Sequence, residues 1–533
     1  MKKALSLILV IALALGMLAA LSGCTQSAEA PADTPVQAKP AAETPAGADE
    51  TADAEQTLVP VTLKMVVLGG GNSEGNQKVY EELNKRLAQD VNAVIEVSCI
   101  SWDVWADEYP LLFASGEDID MVYVASWAGY ASHAQKGAFI ELTPEMIQTY
   151  APHAWAAMTE EMWNQTKVDG KIYMIPQHVL NKDQRDFVLV RGDLREKYGL
   201  DEIGTSDDLL AYWDAVLENE NGILPFQLAN ISTDGVEGSG VYNLFVDNPY
   251  RSADYASLKR YLYTYDVSDP SNIQFADTSE YDKACYELMK QFREKGYWSQ
   301  DALTLQTGNI DAFLAGTSAT AIQAIGNIST LYSQVMEQHP EWKPEMIELN
   351  KDDQKHLASV ASNGMAIAAT CKEPERVLMI YDLLTYDESY SNLICYGIEG
   401  VNYERVGENS YRGLTTTDDA RYDSISGGLG NEDFFMDNVN SPANLDEMKA
   451  DYLAKSYSNF LDGVMFDDSE IKNEVAAVTA IDQKYATILR FGFSEDIEKD
   501  MADWAAEREA AGFAKIQAEY LKQAQAAYDS LNG

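Results

Sequence analysis

Two tryptophans and a glycine run stand where strands of this sequence end. Val61 to Leu68 is an apolar, β-branched run that reads as a buried strand, and it stops at Gly69-Gly70-Gly71-Asn72. Ala93 to Ile100 and Ile119 to Val124 read as the next two strands, closing on Ser101-Trp102 and on Ser126-Trp127. In an open parallel sheet, ligands settle beyond the carboxyl ends of the strands. Gly70, Gly71 and Asn72 lie at such an end, where the glycines let backbone N–H groups come close to a ligand. Trp102 and Trp127 offer flat apolar faces with a polar edge, which suits the C–H side of a sugar ring. Core packing is the competing role for each indole. The glycine run lacks the spacing of a dinucleotide or phosphate loop.

Residues that break bonds are harder to find. The chain has no H-E-x-x-H and no G-x-x-x-x-G-K-[ST]. With 85 Asp and Glu, some carboxylate pair falls near any cleft by chance, so a surface glycosidase stays open as an alternative although no pair stands out. None of the 5 histidines pairs with another at metal-ligand spacing, and the acidic stretch Asp433 to Asp437 has no calcium-loop pattern. No cofactor and no metal is expected. The formal charge of -46 repels nucleic acid and anionic lipid heads, and solubility is its plainest use. Cys99, Cys285, Cys371 and Cys395 include no C-x-x-C pair. Buried free thiols are the expectation, and Cys371 with Cys395 is the pair to test for a disulfide.

Strands alternating with helices must hold these residues in place. Gln77 to Val91 carries Val79, Leu83 and Leu87 at helical period, Trp102 to Ser115 reads as a second helix, and Ala128 to Lys136 as a further one. That order implies a parallel sheet with right-handed crossovers. The strand Ile172 to Ile175 runs into Pro176 and a polar stretch, Gln177 to Asp186, before the strand Phe187 to Val190. Asp193 and Ser206 are placed to cap the next helices, and Lys283 to Lys295 is amphipathic, so a second α/β or α-rich lobe is expected. Glu375 to Tyr386 is helical after Pro374. Ile471 to Leu489 and Glu495 to Tyr528 are helical stripes broken at Gly492 and Gly512.

The first residues set the compartment. Lys2 and Lys3 precede an uninterrupted apolar run, Ala4 to Leu18, and then Leu21-Ser22-Gly23-Cys24. The last four resemble the bacterial lipobox, in which the chain is cut before a cysteine whose sulfur carries diacylglycerol. Residues 1–23 are therefore expected to be a signal peptide, Cys24 the lipidation site, and residues 24–56 a tether too poor in apolar groups to fold. The expected location is the extracellular face of the cell membrane, held by lipid.

Five further motifs occur in a specific order. They are Gly116-Glu117-Asp118-Ile119-Asp120; Gly137-Ala138-Phe139-Ile140-Glu141-Leu142; Val168-Asp169-Gly170-Lys171-Ile172-Tyr173-Met174-Ile175-Pro176; Phe313-Leu314-Ala315-Gly316 with Ala319; and Lys372-Glu373-Pro374-Glu375-Arg376. In this order the chain resembles bacterial extracellular solute-binding proteins of family 1, the sugar-type receptors of ABC importers. Tyr396-Gly397-Ile398-Glu399-Gly400 with Tyr403 resembles a signature of the longer lipoprotein subfamily. The run from Phe466 to Ala477, with Ala511-Gly512 and Glu519, resembles its C-terminal domain of unassigned function.

The resemblance implies an α/β, two-lobed periplasmic-binding-protein-like (type II) fold with additional C-terminal helices. Lobe 1 would span residues 57–180, with part of 365–440 returning to it; lobe 2 would span 181–364, and a helical region, 441–533, would pack on both. It implies a monomeric receptor and not an enzyme, closing on a carbohydrate and docking on the transmembrane subunits of a permease. Candidate contacts are Trp102, Trp127 and Tyr130 for stacking, with core packing as the equal alternative for each. Gln177 and His178 stand where the first crossing meets the cleft and could hydrogen-bond sugar hydroxyls, a loop role being the equal alternative; Asn363 stands near the second crossing and could do the same, and Glu399 and Tyr403 stand in the subfamily signature. Glu399 has a competing structural role as a buried carboxylate that ties loops together. Arg185 could pair with an acidic sugar, with a surface ion pair as its alternative. Two positions depart from the family pattern: Gly192 stands where a basic or polar residue is usual, and Gly316-Thr317 lacks the common Lys.

Overall fold

A computed structural model describes residues 58–533 except 103, 181, 183, 230–240, 251–254, 259–262, 306, 415–420, 465 and 533. The leader, Cys24 and the tether fall outside the described residues. Leu58–Gly533 is one unit, and its core is split. Residues from Leu63 to Ile175 and from Ala361 to Leu429 pack together in one cluster, while Val188 to Leu349 supply another. The fold is α/β with two lobes.

The first lobe is built as its apolar pattern requires. β1 (Val61–Leu68) is buried along its last four residues, as a central strand covered on both faces must be. α1 (Glu74–Asp90) starts at Ser73, whose hydroxyl accepts from the Asn76 N–H at 3.0 Å, and it buries Val79, Tyr80, Leu83 and Leu87. β2 (Ala93–Ile100) is followed by α2 (Trp105–Ser115), which ends on left-handed Gly116. That helix begins three residues later than its sequence pattern suggests, so Trp102 lies in the turn ahead of it. β3 (Met121–Val124) and β4 (Met174–Pro176) complete the forward strands.

β5 (Phe187–Arg191) opens the second lobe, followed by α3 (Ser279–Lys295), β6 (Thr320–Gln323), α4 (Ile325–Gln338) and β7 (Pro344–Glu348). β5 lies between β6 and β7, antiparallel to both. Its side chains alternate: Val188 and Val190 enter the main core of this lobe, and Phe187 and Leu189 enter a second cluster with Phe313, Ile328, Leu445 and Tyr452. The helix Ser206–Asn219 is capped by Thr205 and not by Ser206, because Thr205 and Asp208 form a reciprocal capping box. The helix expected to follow an Asp193 cap instead starts at Gly192 and has no side-chain cap.

The chain then returns. β8 (Gly364–Ile367) enters the first sheet, whose order is β2-β1-β3-β8-β4. α5 (Pro374–Tyr386) covers it. The C-terminal helices are α6 (Lys472–Arg490), α7 (Ile497–Ala510) and α8 (Phe513–Asn532). Val475 and Val478 of α6 and Ile516 and Tyr520 of α8 share a core with Tyr263, Tyr265 and Ile273. Those three belong to a small antiparallel sheet inserted in the second lobe. The pair singled out for a disulfide is not bonded: Cys99, Cys285, Cys371 and Cys395 are all free thiols.

Candidate functional site

Strand direction brings the candidate residues to one edge of the first sheet. β1 runs parallel to β2 and β3, while β8 runs antiparallel to β3 and β4, with Gly364 opposite both Val124 and Pro176. The carboxyl ends of β1 to β4 and the start of β8 therefore share an edge. Gly69, Trp102, Trp127, Gln177 and Asn363 all sit there.

At this edge three indoles form a platform. The ring centroids of Trp102 and Trp127 are 6.0 Å apart with planes tilted by 34°. Trp105, at the start of α2, stands edge-on to Trp127 at 5.2 Å and to Trp102 at 6.5 Å. Trp102 is 53% exposed and Trp127 48% exposed, a large uncovered area for aromatic residues. Gly69, at φ 114°, turns the chain beside this platform; a Cβ there would stand in ordinary contact with Trp102 Nε1 at 3.4 Å. The Trp127 indole N–H donates to the Ser362 carbonyl at 2.9 Å, so its ring is held at a set angle. Beneath it, Tyr123 lies 6.2 Å away by ring centroid, and its hydroxyl donates to Asn363 Oδ1. Burial pushes the Tyr123 hydroxyl well above the ordinary tyrosine range, so it acts as a hydrogen-bond donor and not as a base. Asn363 in turn accepts the Gln177 backbone N–H at 3.1 Å, joining the two crossings.

Trp105 was missed as a site residue because helical period assigns it to the apolar stripe of α2. The helix does pack on the core of this lobe through Tyr109, Leu112 and Phe113, and Trp105, partly buried at its first turn, also reaches the two exposed indoles.

Other candidates have different roles. Tyr130 is fully buried; its ring stacks on Phe139, its hydroxyl donates to the Thr166 carbonyl at 2.7 Å and accepts the Tyr173 N–H at 3.2 Å. It packs lobe 1 and presents no face for stacking. Gly71 is also interior: with φ at 141°, a Cβ would stand 2.4 Å from the Cys99 sulfur. Gly70 is exposed but lies against the protein's own Asp423, whose carboxylate would meet a Cβ at 2.8 Å. Asn72 reaches back to the Cys99 carbonyl at 3.4 Å. The glycine run thus accommodates the segment 421–423, which also accepts from Ser73 and exchanges bonds with Asn76.

His178 is drawn away from the indoles by backbone bonds. Its N–H donates to Gly430 and its carbonyl accepts from Glu432, both at 2.9 Å, and its ring tilts against Tyr386 at 5.8 Å. Tyr403 is buried in a separate small sheet, where its ring meets Tyr411 of the same sheet and Tyr396 at the end of the helix Glu388–Tyr396. Glu399, in the subfamily signature, is exposed and so is not the buried carboxylate that would tie loops together.

Both departures from the family pattern meet one wedge, residues 339–343. A Cβ on Gly192 would stand 2.3 Å from the Lys343 carbonyl, and Gly316, at φ 73°, would bring one to 3.1 Å from the Trp342 ring. Trp342 stacks on His339 at 4.1 Å and receives the Arg191 guanidinium at 4.0 Å. Larger residues at 192 and 316 would displace this stack.

Comparison with known proteins agrees with this geometry. Residues 71–386 match the model of the bacterial extracellular solute-binding protein family, and residues 461–529 match a domain of unknown function. The chain belongs to the bacterial extracellular solute-binding protein family. Over 431 residues it is 22% identical to a carbohydrate ABC transporter substrate-binding protein of Streptococcus pneumoniae, covering 79% of this chain and 82% of the relative. Among solved structures, the N-glycan transport solute binding protein of S. pneumoniae with Man1GlcNAc superposes with a TM-score of 0.69 at 19% identity, covering 88% of this chain and 99% of that one. An alginate-binding protein superposes with a TM-score of 0.63 at 17% identity, covering 88% and 98%. The family and these neighbours are binding proteins and not enzymes.

Proposed function

We propose that this chain is the lipid-anchored receptor of an ABC importer, that it binds an oligosaccharide between its two lobes, and that it hands the sugar to a membrane permease. The observation that carries the reading is the pair of half-exposed indoles, Trp102 and Trp127, set side by side at neighbouring strand ends. Such faces lose little by facing water and gain when a pyranose ring covers them. Asn363 and Gln177 lie at the same edge and supply the polar side of the contact.

The working parts are a lobe of residues 57–180 with part of 365–440, a lobe of residues 181–364, and a C-terminal region, 441–533, packed on them. A sugar that touches both lobes binds the closed form more tightly than the open form and shifts the population by that difference in affinity. Carbohydrate transport by the relative from S. pneumoniae supports the ligand class. The lipobox-like run ending at Cys24 and the tether behind it support anchoring at the extracellular face. The chain would then act by binding alone, as a monomer and with no cofactor.

Calorimetric titration against an oligosaccharide library tests the ligand class. Saturable binding of one or more glycans is expected. Binding of peptides or polyols, with no response to any sugar, would refute it; so would cleavage of the glycans on incubation.

A further inference from the structure

Residues 461–529 match a domain of unknown function, and the segment leading into it, residues 452–462, is built into the crossings between the lobes. Lys355, on the second crossing, and Asp186, on the first, both have fully buried side chains and meet at 2.9 Å. The Lys355 ammonium donates to Asp186 and to the Asn350 carbonyl at 3.0 Å, and it forms an ion pair with Glu348, at the end of β7, at 3.1 Å. Gln184 extends the cluster, donating to Asp186 at 2.5 Å and accepting the His356 N–H at 3.0 Å.

The C-terminal segment closes over this cluster. Ser456–Tyr457 pairs as a parallel strand with Lys355–His356, Lys355 N–H donating to the Lys455 carbonyl and Leu357 N–H to the Tyr457 carbonyl, each at 3.0 Å. The Tyr452 hydroxyl donates to the His356 carbonyl at 2.8 Å, and the His356 ring meets Asp462 at 2.6 Å. Farther along, Phe491 enters the core of the second lobe, and α6 and α7 pack on Cys285 and Tyr286 of α3.

We propose that Lys355 is a positioning residue for lobe movement: it fastens both crossings and the segment 452–462 into a rigid splice, so that the C-terminal domain moves with the second lobe as one body. The splice extends the two-lobe receptor reading and rests on it. A buried ion pair loses much when one partner is removed, because the other charge is left without compensation. Loss of Lys355 should therefore loosen all three strands of the splice together.

Hydrogen exchange on the whole chain without ligand tests this, so failure of the sugar reading would not affect the outcome. In the native chain, peptides covering 349–357 and 452–462 should exchange as slowly as β5. Lys355→Met should speed exchange of 184–187, 349–357 and 452–462 in concert, by about a hundredfold, leaving β1 and β3 unchanged. Lys355→Arg, which keeps the charge, should restore much of the protection. Should Lys355→Met fail to fold, Asp462→Asn leaves the buried pair intact and is expected to raise exchange at both 349–357 and 184–187. Acceleration restricted to the segment that carries the substitution would overturn the proposal. So would fast exchange of 452–462 in the native chain.

Discussion

Replacing Trp102 by Ala isolates the platform from the fold. The side chain lies outside α2 and 53% of it is exposed. A tryptophan carries up to about 250 Å² of surface, so a ring resting on its open face removes roughly 60 Å² from water on the indole and a similar area on the sugar. At about 25 cal/mol per Å² that is at most about 3 kcal/mol, and desolvation of sugar hydroxyls takes back on the order of half. The net loss is about 1.5 kcal/mol, or roughly tenfold in Kd. Because the residue is half in water, folding stability should change by no more than about 1 kcal/mol. Calorimetric titration with a glycan identified by the library screen, beside a thermal melt of the same variant, separates the two effects. An affinity within about twofold of the parent, or a large fall in melting temperature with no change in affinity, would refute the platform reasoning.

Tyr130→Phe should do the reverse: it leaves the Thr166 carbonyl and the Tyr173 N–H unsatisfied in the core, costing about 2 kcal/mol in denaturant unfolding with sugar affinity unchanged. His133 packs on Phe113 at 4.3 Å, and burial, aided by Lys136, pushes its imidazole down to about 4 from 6.5. Its folded form resists protonation, so the stability it contributes is complete above pH 6.5 and is lost as pH falls toward 4; because the ring is partly open to solvent, a pH series of urea melts should lose about 1 kcal/mol on this account, and His133→Phe should flatten that slope. Burial raises the thiols of Cys285 and Cys371 to about 12 and of Cys395 to about 11. A thiol reagent at neutral pH should therefore label these slowly in the folded chain and all of Cys99, Cys285, Cys371 and Cys395 after unfolding; fewer thiols in the unfolded chain would mean a disulfide.

Sequence reading went furthest where period and burial coincide. The strands ending at Leu68, Ile100 and Val124 were legible because continuous β-branched runs bounded by polar turns admit little else, and parallel order then placed Trp102 and Trp127 on one edge. For Tyr130 the sequence left stacking and core packing level; left-handed Gly129 turns the chain and sends its ring into the core. Gly70 and Gly71 look like a ligand cradle until Asp423, some 350 residues on, is seen lying against Gly70, and Cys99 and Tyr80 against Gly71. Such contacts between distant segments leave no local pattern. The cluster around Lys355 was invisible for that reason, since Asp186, Glu348 and Tyr452 are joined only by the fold.

The bond from Trp127 to the Ser362 carbonyl gives the platform a mechanical sense. Ser362 stands at the end of the second crossing, one residue before the asparagine that takes the Tyr123 hydroxyl. If the lobes close on a sugar as proposed, a swing of that crossing would drag the indole with it and change its tilt toward Trp102. Grip on the guest and the angle between the halves would then be one variable, and a ligand too short to span both indoles would leave the protein ajar.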